Sequence, residues 1–231
     1  QAQCYNGTTE YPCAEHWIIG AGSENPPTGF GANGDLFWRT DLARFQVKAA
    51  GAWAAGERAL QVVGVPIFDL RQTTGITLAV TETAGNFNTS VSANVILAKG
   101  EVTDNETEVS VTQFQFIIPP NYVPAGDLTV RLPSNVVKTA AAVNNGSTID
   151  VAVYEQMAGA VGSDLSTTTA AATFAAVDTW YDKDFVITST DFVAGDTLTV
   201  VISASVIDSE AGGGTLILNL GTPKILLDTY N

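Results

Sequence analysis

Acid–base and nucleophilic chemistry need particular partners, and this chain offers few of them. His16 is the single histidine. No Ser or Cys stands in a Gly-x-Ser-x-Gly elbow, so a hydrolytic triad has neither base nor nucleophile to build on. His16 beside Trp17 reads as a packing pair. Cleavage of a glycosidic bond needs two carboxylates, and the chain carries 24 acidic residues. However, Asp104, Glu106 and Glu108 gather in a turn instead of alternating along one strand face, which is the pattern of solvated acids. The Gly-rich stretch GAGSENPPTGFGANG sits in the entry arm and not at a strand-to-helix turn, so no phosphate loop is expected. These residues predict a non-enzyme that holds no organic cofactor.

Oxygen donors in tight turns are the ligands of calcium. That makes Asp104 with Glu106, and Asp208 with Glu210, the candidates for a structural Ca2+, against the plainer reading of the same acids as a hydrated surface. Cys4 and Cys13 are the two cysteines, with no second pair to complete a zinc site. A disulfide between them would restrain the terminal segment and implies an oxidising compartment. The opening QAQCYNGTTEYPC, without an initiator Met, fits a chain from which a leader has been removed. Asn6, Asn88, Asn105 and Asn145 begin N-glycosylation-type triplets. Trp38, Trp53, Trp180 and Tyr181 are the aromatics available to stack on a sugar ring or to anchor a protein interface. Trp180 and Tyr181 are adjacent, so on a strand they face opposite ways and one of them must leave the core.

Any such residues must be positioned by β-structure. Of 231 residues, 45% are hydrophobic and 15% charged, ample for one large packed domain. The net charge of −14 repels a phosphate backbone, which excludes nucleic acid as a direct partner. Apolar runs such as Val200–Val206 are far short of the roughly 20 residues of a membrane helix, so no membrane insertion is expected. Ile149, Val151 and Val153 alternate with Asp150, Ala152 and Tyr154. Leu198, Val200, Ile202, Ala204 and Val206 alternate with Thr197, Thr199, Val201, Ser203 and Ser205. Phe114, Phe116 and Ile118 alternate with Gln113, Gln115 and Ile117, and Leu216, Leu218 and Leu220 with Thr215, Ile217 and Asn219. This two-residue period marks half-buried strands. Residues 40–60 fit either a helical face (Leu42, Phe45, Ala49, Trp53) or alternation (Phe45, Val47, Ala49), with Gly51 and Gly56 weighing against the helix.

An internal echo carries the most information. FIIPPNYVPAGDLTVRL at Phe116–Leu132 and FVITSTDFVAGDTLTVVI at Phe185–Ile202 each read as a strand, an aromatic-Val step, an Ala-Gly-Asp turn and a second strand. Gly126 and Gly195 are expected at positive φ, Asp127 and Asp196 bonded to turn amides, and Tyr122 and Phe192 plugged beneath the turns. Two equivalent hairpins fit the pseudo-two-fold winding of a jelly roll. The prediction is an all-β, jelly-roll-like antiparallel β-sandwich over residues 41–231, preceded by an irregular, disulfide-pinned arm over residues 1–40.

The order ILAKGEV, FQFIIPPNYVPAGDLTVRL, GSDL, WYDKDFVITSTDFVAGDTLTVVI, TPKILLD resembles jelly-roll proteins of environmental bacteria and tailed-phage virions over about Val95–Asp228. The start, Gln1–Asp35, departs from that likeness and leaves a surface fibre open as another setting. The resemblance implies a surface or decoration role and carries no catalytic residue. The expected function is a non-enzymatic structural subunit of an extracellular or virion-surface assembly, partnered by its own copies or by other virion or fibre proteins. The rival reading is a carbohydrate-binding or adhesion module partnered by glycans.

Overall fold

A computed structural model describes the backbone of residues 3–6, 9–12, 18–22, 36–39, 44–49 and 52–54. It also describes residues 58–230 except 81–84, 93–94, 104, 124–125, 140, 158–159, 167–169 and 189–191. The chain forms two compact units, residues 1–59 with 230–231, and residues 60–229.

In the first unit, β1 (Gln3–Asn6) and β2 (Thr9–Pro12) pair antiparallel. A separate sheet runs β3 (Ile18–Gly22), β4 (Leu36–Arg39), β5 (Arg44–Ala49), β6 (Ala52–Ala54), with β3 and β4 parallel. Short strands therefore occupy parts of the stretch expected to be irregular. Within the ambiguous stretch 40–60 the described residues, 44–49, 52–54 and 58–60, are strand, with Phe45 opposite Trp38 and Val47 opposite Leu36.

The second unit is an antiparallel sandwich built from β7 (Arg58–Gly64), β8 (Asn88–Ser92), β9 (Val95–Thr103), β10 (Thr107–Ile117), β11 (Leu128–Lys138), β12 (Thr148–Met157), β13 (Ala160–Asp164), β14 (Ala172–Thr173), β15 (Tyr181–Ile187), β16 (Thr197–Ile207), β17 (Thr215–Leu220) and β18 (Lys224–Tyr230). One sheet runs β10-β16-β12-β13, with β14 also beside β12. The other is centred on β11, which pairs with β15 along one edge. Along its opposite edge β11 pairs first with β18 and then with β17. The Gly221 amide donates to the Pro133 carbonyl at 2.8 Å between those two stretches, so β17 and β18 are halves of one strand path. β9 and β8 continue outward from β17, and β7 borders β18. Among the described residues the helical content is one 3-10 turn, Ile67–Asp69.

The alternation predicts the faces well. On β16, Leu198, Val200, Ile202, Ala204 and Val206 are at most 1% exposed, while each intervening residue is half-exposed. Leu216, Leu218, Leu220, Leu128, Val130 and Leu132 close the core from the opposite sheet, all at 0%. Each fully buried aliphatic of this size contributes about 1.5–3 kcal/mol relative to leaving it in water.

The echo is where local reading and structure part. The two copies are not hairpins. Phe116–Leu132 leaves the first sheet on β10 and enters the second on β11, and Phe185–Ile202 makes the reverse passage from β15 to β16. The copies pair with each other: β10 with β16 from Thr107↔Ile207 to Ile117↔Thr197, and β11 with β15 from Leu128↔Ile187 to Ser134↔Tyr181. The arches join as well, since Ile118 N–H donates to the Asp196 carbonyl and Gly195 N–H to the Ile118 carbonyl, both at 2.9 Å. Tyr122 and Phe192, 3% and 4% exposed, do plug the space beneath, with ring centroids 5.4 Å apart. Gly195 takes φ 95° as expected, and Asp196 Oδ2 accepts the Val193 amide at 2.6 Å. Gly126 differs: its φ is not positive, and a Cβ there would come 3.1 Å from the Val123 carbonyl, so glycine serves a close approach and not a reversal. Among the described residues Asp127 makes no bond matching that of Asp196.

Candidate functional site

The outward positions of β10, β16 and β12 form the floor of a groove of about 830 Å³. Alternation sends Gln113, Gln115, Thr199, Val201, Tyr154 and Gln156 to this face, because their neighbours Phe114, Leu198, Val200 and Val153 are taken by the core. Register assembles them into rows. Gln115 lies opposite Thr199, and Thr199 opposite Tyr154; one row along, Gln113 lies opposite Val201, and Val201 opposite Ala152. The Thr199 hydroxyl oxygen is buried between its row partners and has no hydrogen-bond partner.

The wall comes from the segment after β7. Pro66 precedes the 3-10 turn, and Leu70, at 0% exposure, anchors the segment to the core. Arg71 then pairs with the free edge of β10: its N–H donates to the Gln113 carbonyl and its carbonyl accepts the Gln113 N–H, both at 2.8 Å. Thr112 Oγ1 adds a bond to the same Arg71 carbonyl at 2.9 Å, and Gln113 Nε2 donates to the Gln72 carbonyl at 3.2 Å. A directly opposed antiparallel pair shares one face, so Arg71 faces outward with Gln113. Among the described residues Arg71 and Asp69 are the two charged residues lining the groove, and they form no ion pair there.

Chemically, the floor offers three primary amides, each with donors and an acceptor, and one phenol ring, while the Thr199 hydroxyl lies buried beneath them. None of these was singled out from the sequence as a site residue. The readable signal was Gln113-x-Gln115 and Tyr154-x-Gln156 at outward positions of strands, where long planar polar side chains stand on an otherwise Thr/Ser-rich face.

The residues that the sequence did single out lie elsewhere. Tyr181, the first residue of β15, packs against the core with its ring 6.3 Å from Phe174, whereas Trp180, just before that strand, is 48% exposed. Trp180 lies over Gly221, where a Cβ would be 3.5 Å from the indole, and is not part of the groove. Lys183 Nζ lies 4.4 Å from the Tyr181 ring centroid and 5.0 Å from that of Phe174, and donates to the Thr173 carbonyl at 2.6 Å. Burial pushes this ammonium below its ordinary pKa. The side chains of Trp38 and Trp53 lie outside the described residues, as does the Cys4–Cys13 disulfide.

Of the calcium candidates, Asp104 lies outside the described residues. Glu106 is exposed and its carbonyl accepts the Asp208 N–H at 3.0 Å, so the two candidate turns meet. Asp208 is not the hydrated turn acid expected. It is 2% exposed, and its Oδ1 caps the turn by accepting the Val143 and Glu210 amides, each at 3.0 Å. Among the described residues no three acidic, His or Cys side chains converge in a metal-binding arrangement. Glu108 sits on β10, where Oε1 accepts the Gly85 amide at 3.4 Å. Of the glycosylation triplets, Asn88 is 2% exposed, Asn105 and Asn145 are on exposed turns, and the Asn6 side chain lies outside the described residues.

No family model and no curated protein matches the chain. Among solved structures it is similar to a module described for the promiscuous specificity of carbohydrate-binding modules from the β-sandwich superfamily, at 11% identity, covering 71% of this chain and 56% of that one, with a TM-score of 0.35. It is also similar to the TmCBM61 module in complex with β-1,4-galactotriose, at 10% identity over 73% of this chain and 88% of that one, TM-score 0.31. A third neighbour is a structure of infectious bursal disease virus, Gt strain, at 11% identity over 61% of this chain and 41% of that one, TM-score 0.22. The chain thus spans little more than half the length of the first neighbour.

Proposed function

We propose that the 60–229 sandwich is a non-catalytic glycan-binding module and that the groove over β10, β16 and β12 is its binding face. The observation that carries this is the row Gln115–Thr199–Tyr154 on a sheet surface walled along one side. A saccharide presents hydroxyls that both donate and accept, and C–H faces that pack on an aromatic ring. Amides and a phenol on a rigid sheet meet those needs without rearrangement. The groove volume falls in the range of small-molecule sites. Among the described residues Asp69 is the one carboxylate lining it, and the two-carboxylate chemistry of glycoside hydrolysis finds no second acid among them.

The test is a glycan array followed by calorimetric titration of the best hit with the native chain, Tyr154→Ala and Gln115→Ala. Both substitutions are at solvent-facing positions, so thermal melts should overlay. Loss of the ring should cost about 1.5 kcal/mol, roughly tenfold in affinity. Binding that is indifferent to both changes would remove the groove from the account.

A structural subunit of an extracellular assembly is the second reading. It is favoured by Leu60, Val62, Phe68, Ile76 and Val80, all more than half exposed within one stretch of chain. Concentration-dependent assembly in sedimentation, lost on Phe68→Ser with Ile76→Ser, would support it, and a monomer at all concentrations would count against it.

A further inference from the structure

We infer that the saccharide taken by this groove is anionic, and that Arg71 receives its carboxylate or sulfate group. This rests on the glycan-binding reading above and adds the ligand's charge class to it.

The root of Arg71 is held by three hydrogen bonds, two to the Gln113 backbone and one from the Thr112 hydroxyl. Its side chain therefore leaves a fixed point on a strand edge, on the same face as Gln113. A guanidinium is a planar fork with five donors, and it is most strongly satisfied by a bidentate oxyanion. In a chain with 24 acidic and 10 basic residues, an arginine would readily find such a partner within the protein. Arg131 on the opposite sheet does so: its Nε and Nη2 bond the Asp184 carboxylate at 2.7 and 2.6 Å, with Asp182 at 3.9 Å. Those contacts, the Asp184 hydrogen bonds first, hold its pKa above the ordinary value. Arg71 lines an open groove with no such partner among the described residues, although Asp69 is two positions away. Geometry has kept the two apart, and the fork remains free for an external oxyanion.

The Arg71–Gln113 pairing sets the orientation: the anionic group sits at the Gln113 edge of the groove, with the neutral rings extending over Thr199 towards Tyr154. Arg71, β10, β16 and β12 lie side by side, and three strand spacings make about 14 Å, room for more than one sugar ring. The overall charge of −14 opposes any anion at long range, but at physiological salt that repulsion is screened beyond about 8 Å, which leaves the contact at Arg71 to decide.

The experiment titrates three probes: an oligogalacturonate, the same oligomer with its carboxyl groups reduced to alcohols, and a sulfated galactan oligosaccharide. An anionic probe should bind at least tenfold tighter than the reduced one, and the carboxylate and sulfate arms separate the two oxyanions. Arg71→Gln should erase the preference. Asp69→Asn should tighten anionic binding two- to fivefold and leave reduced-oligomer binding unchanged. Equal affinity for charged and reduced oligomers, or a preference that survives Arg71→Gln, overturns the inference. If the reduced oligomer binds in a Tyr154-dependent way without charge preference, the glycan face stands and its anionic character falls. If no saccharide binds, both fall.

Discussion

Replacing Phe192 by Ala tests the joint between the two arches more directly than any change in the sheets. Phe192 is 4% exposed and its ring lies 5.4 Å from that of Tyr122, tilted by 34°. Tyr122 is itself tethered, its hydroxyl donating to the Gly126 carbonyl and its N–H to that of Pro119. Truncating a buried Phe to Ala costs about 3–5 kcal/mol, because the cavity adds to the lost transfer energy. About 0.5–1.5 kcal/mol of that belongs to the ring pair beyond area burial. A sandwich of this size shifts its midpoint by roughly 2–4 °C per kcal/mol, which gives a drop of about 6–20 °C. Urea denaturation of the native chain, Tyr122→Leu, Phe192→Leu and the double variant completes a thermodynamic cycle, whose coupling should be about 0.5–1.5 kcal/mol. A Phe192→Ala cost under about 1 kcal/mol, or a coupling of zero, would mean that the arches do not brace each other. The pseudo-symmetric account of the echo would then be wrong.

Two further perturbations probe the packing. A Cβ on Gly100 of β9 would lie 2.6 Å from Ser110 Oγ and 2.9 Å from Ser110 Cβ. Gly100→Ala should therefore cost about 1–3 kcal/mol by overpacking in urea melts, and Gly100→Ala with Ser110→Gly should recover most of it. Ser110 Oγ is buried without a partner, so Ser110→Ala alone should be neutral or stabilising by up to about 1 kcal/mol. Lys183 holds its proton less tightly when folded than the ordinary 10.5 of the unfolded chain, because burial disfavours the charged form. The unfolded state thus binds more protons in the window just below 10.5, and stability contributed by this residue rises with pH there. Lys183→Met should remove this contribution to the pH dependence of the melting temperature just below pH 10.5, and an unchanged slope would show that Lys183 does not supply it.

Much of this fold was legible because strand faces are set locally. Alternation along Leu198–Val206 or Ile149–Val153 assigns inside and outside without knowledge of any partner, and the turn chemistry of Gly195 and Asp196 is settled within four residues. What could not be read is which strand lies beside which. The echo looked like two hairpins because a strand, a turn and a strand in sequence have the same local signature whether the second strand returns to its own sheet or crosses to the facing one. The same blindness hid Asp208, whose burial depends on the Val143 amide 65 residues away. It also hid the groove. Gln115, Thr199 and Tyr154 were each visible as outward residues on separate strands, and they become one surface only through the registers of β10 and β12 against β16. Tryptophans stand out in the sequence because a large ring is a conspicuous single-residue signal. A binding face spread across a sheet has no such residue, and each of its members, taken alone, is indistinguishable from ordinary solvent-facing strand chemistry. For a sandwich of this kind, outward Gln and Tyr on strands that flank a shared neighbour are therefore the informative residues, and their meaning is supplied by long-range pairing.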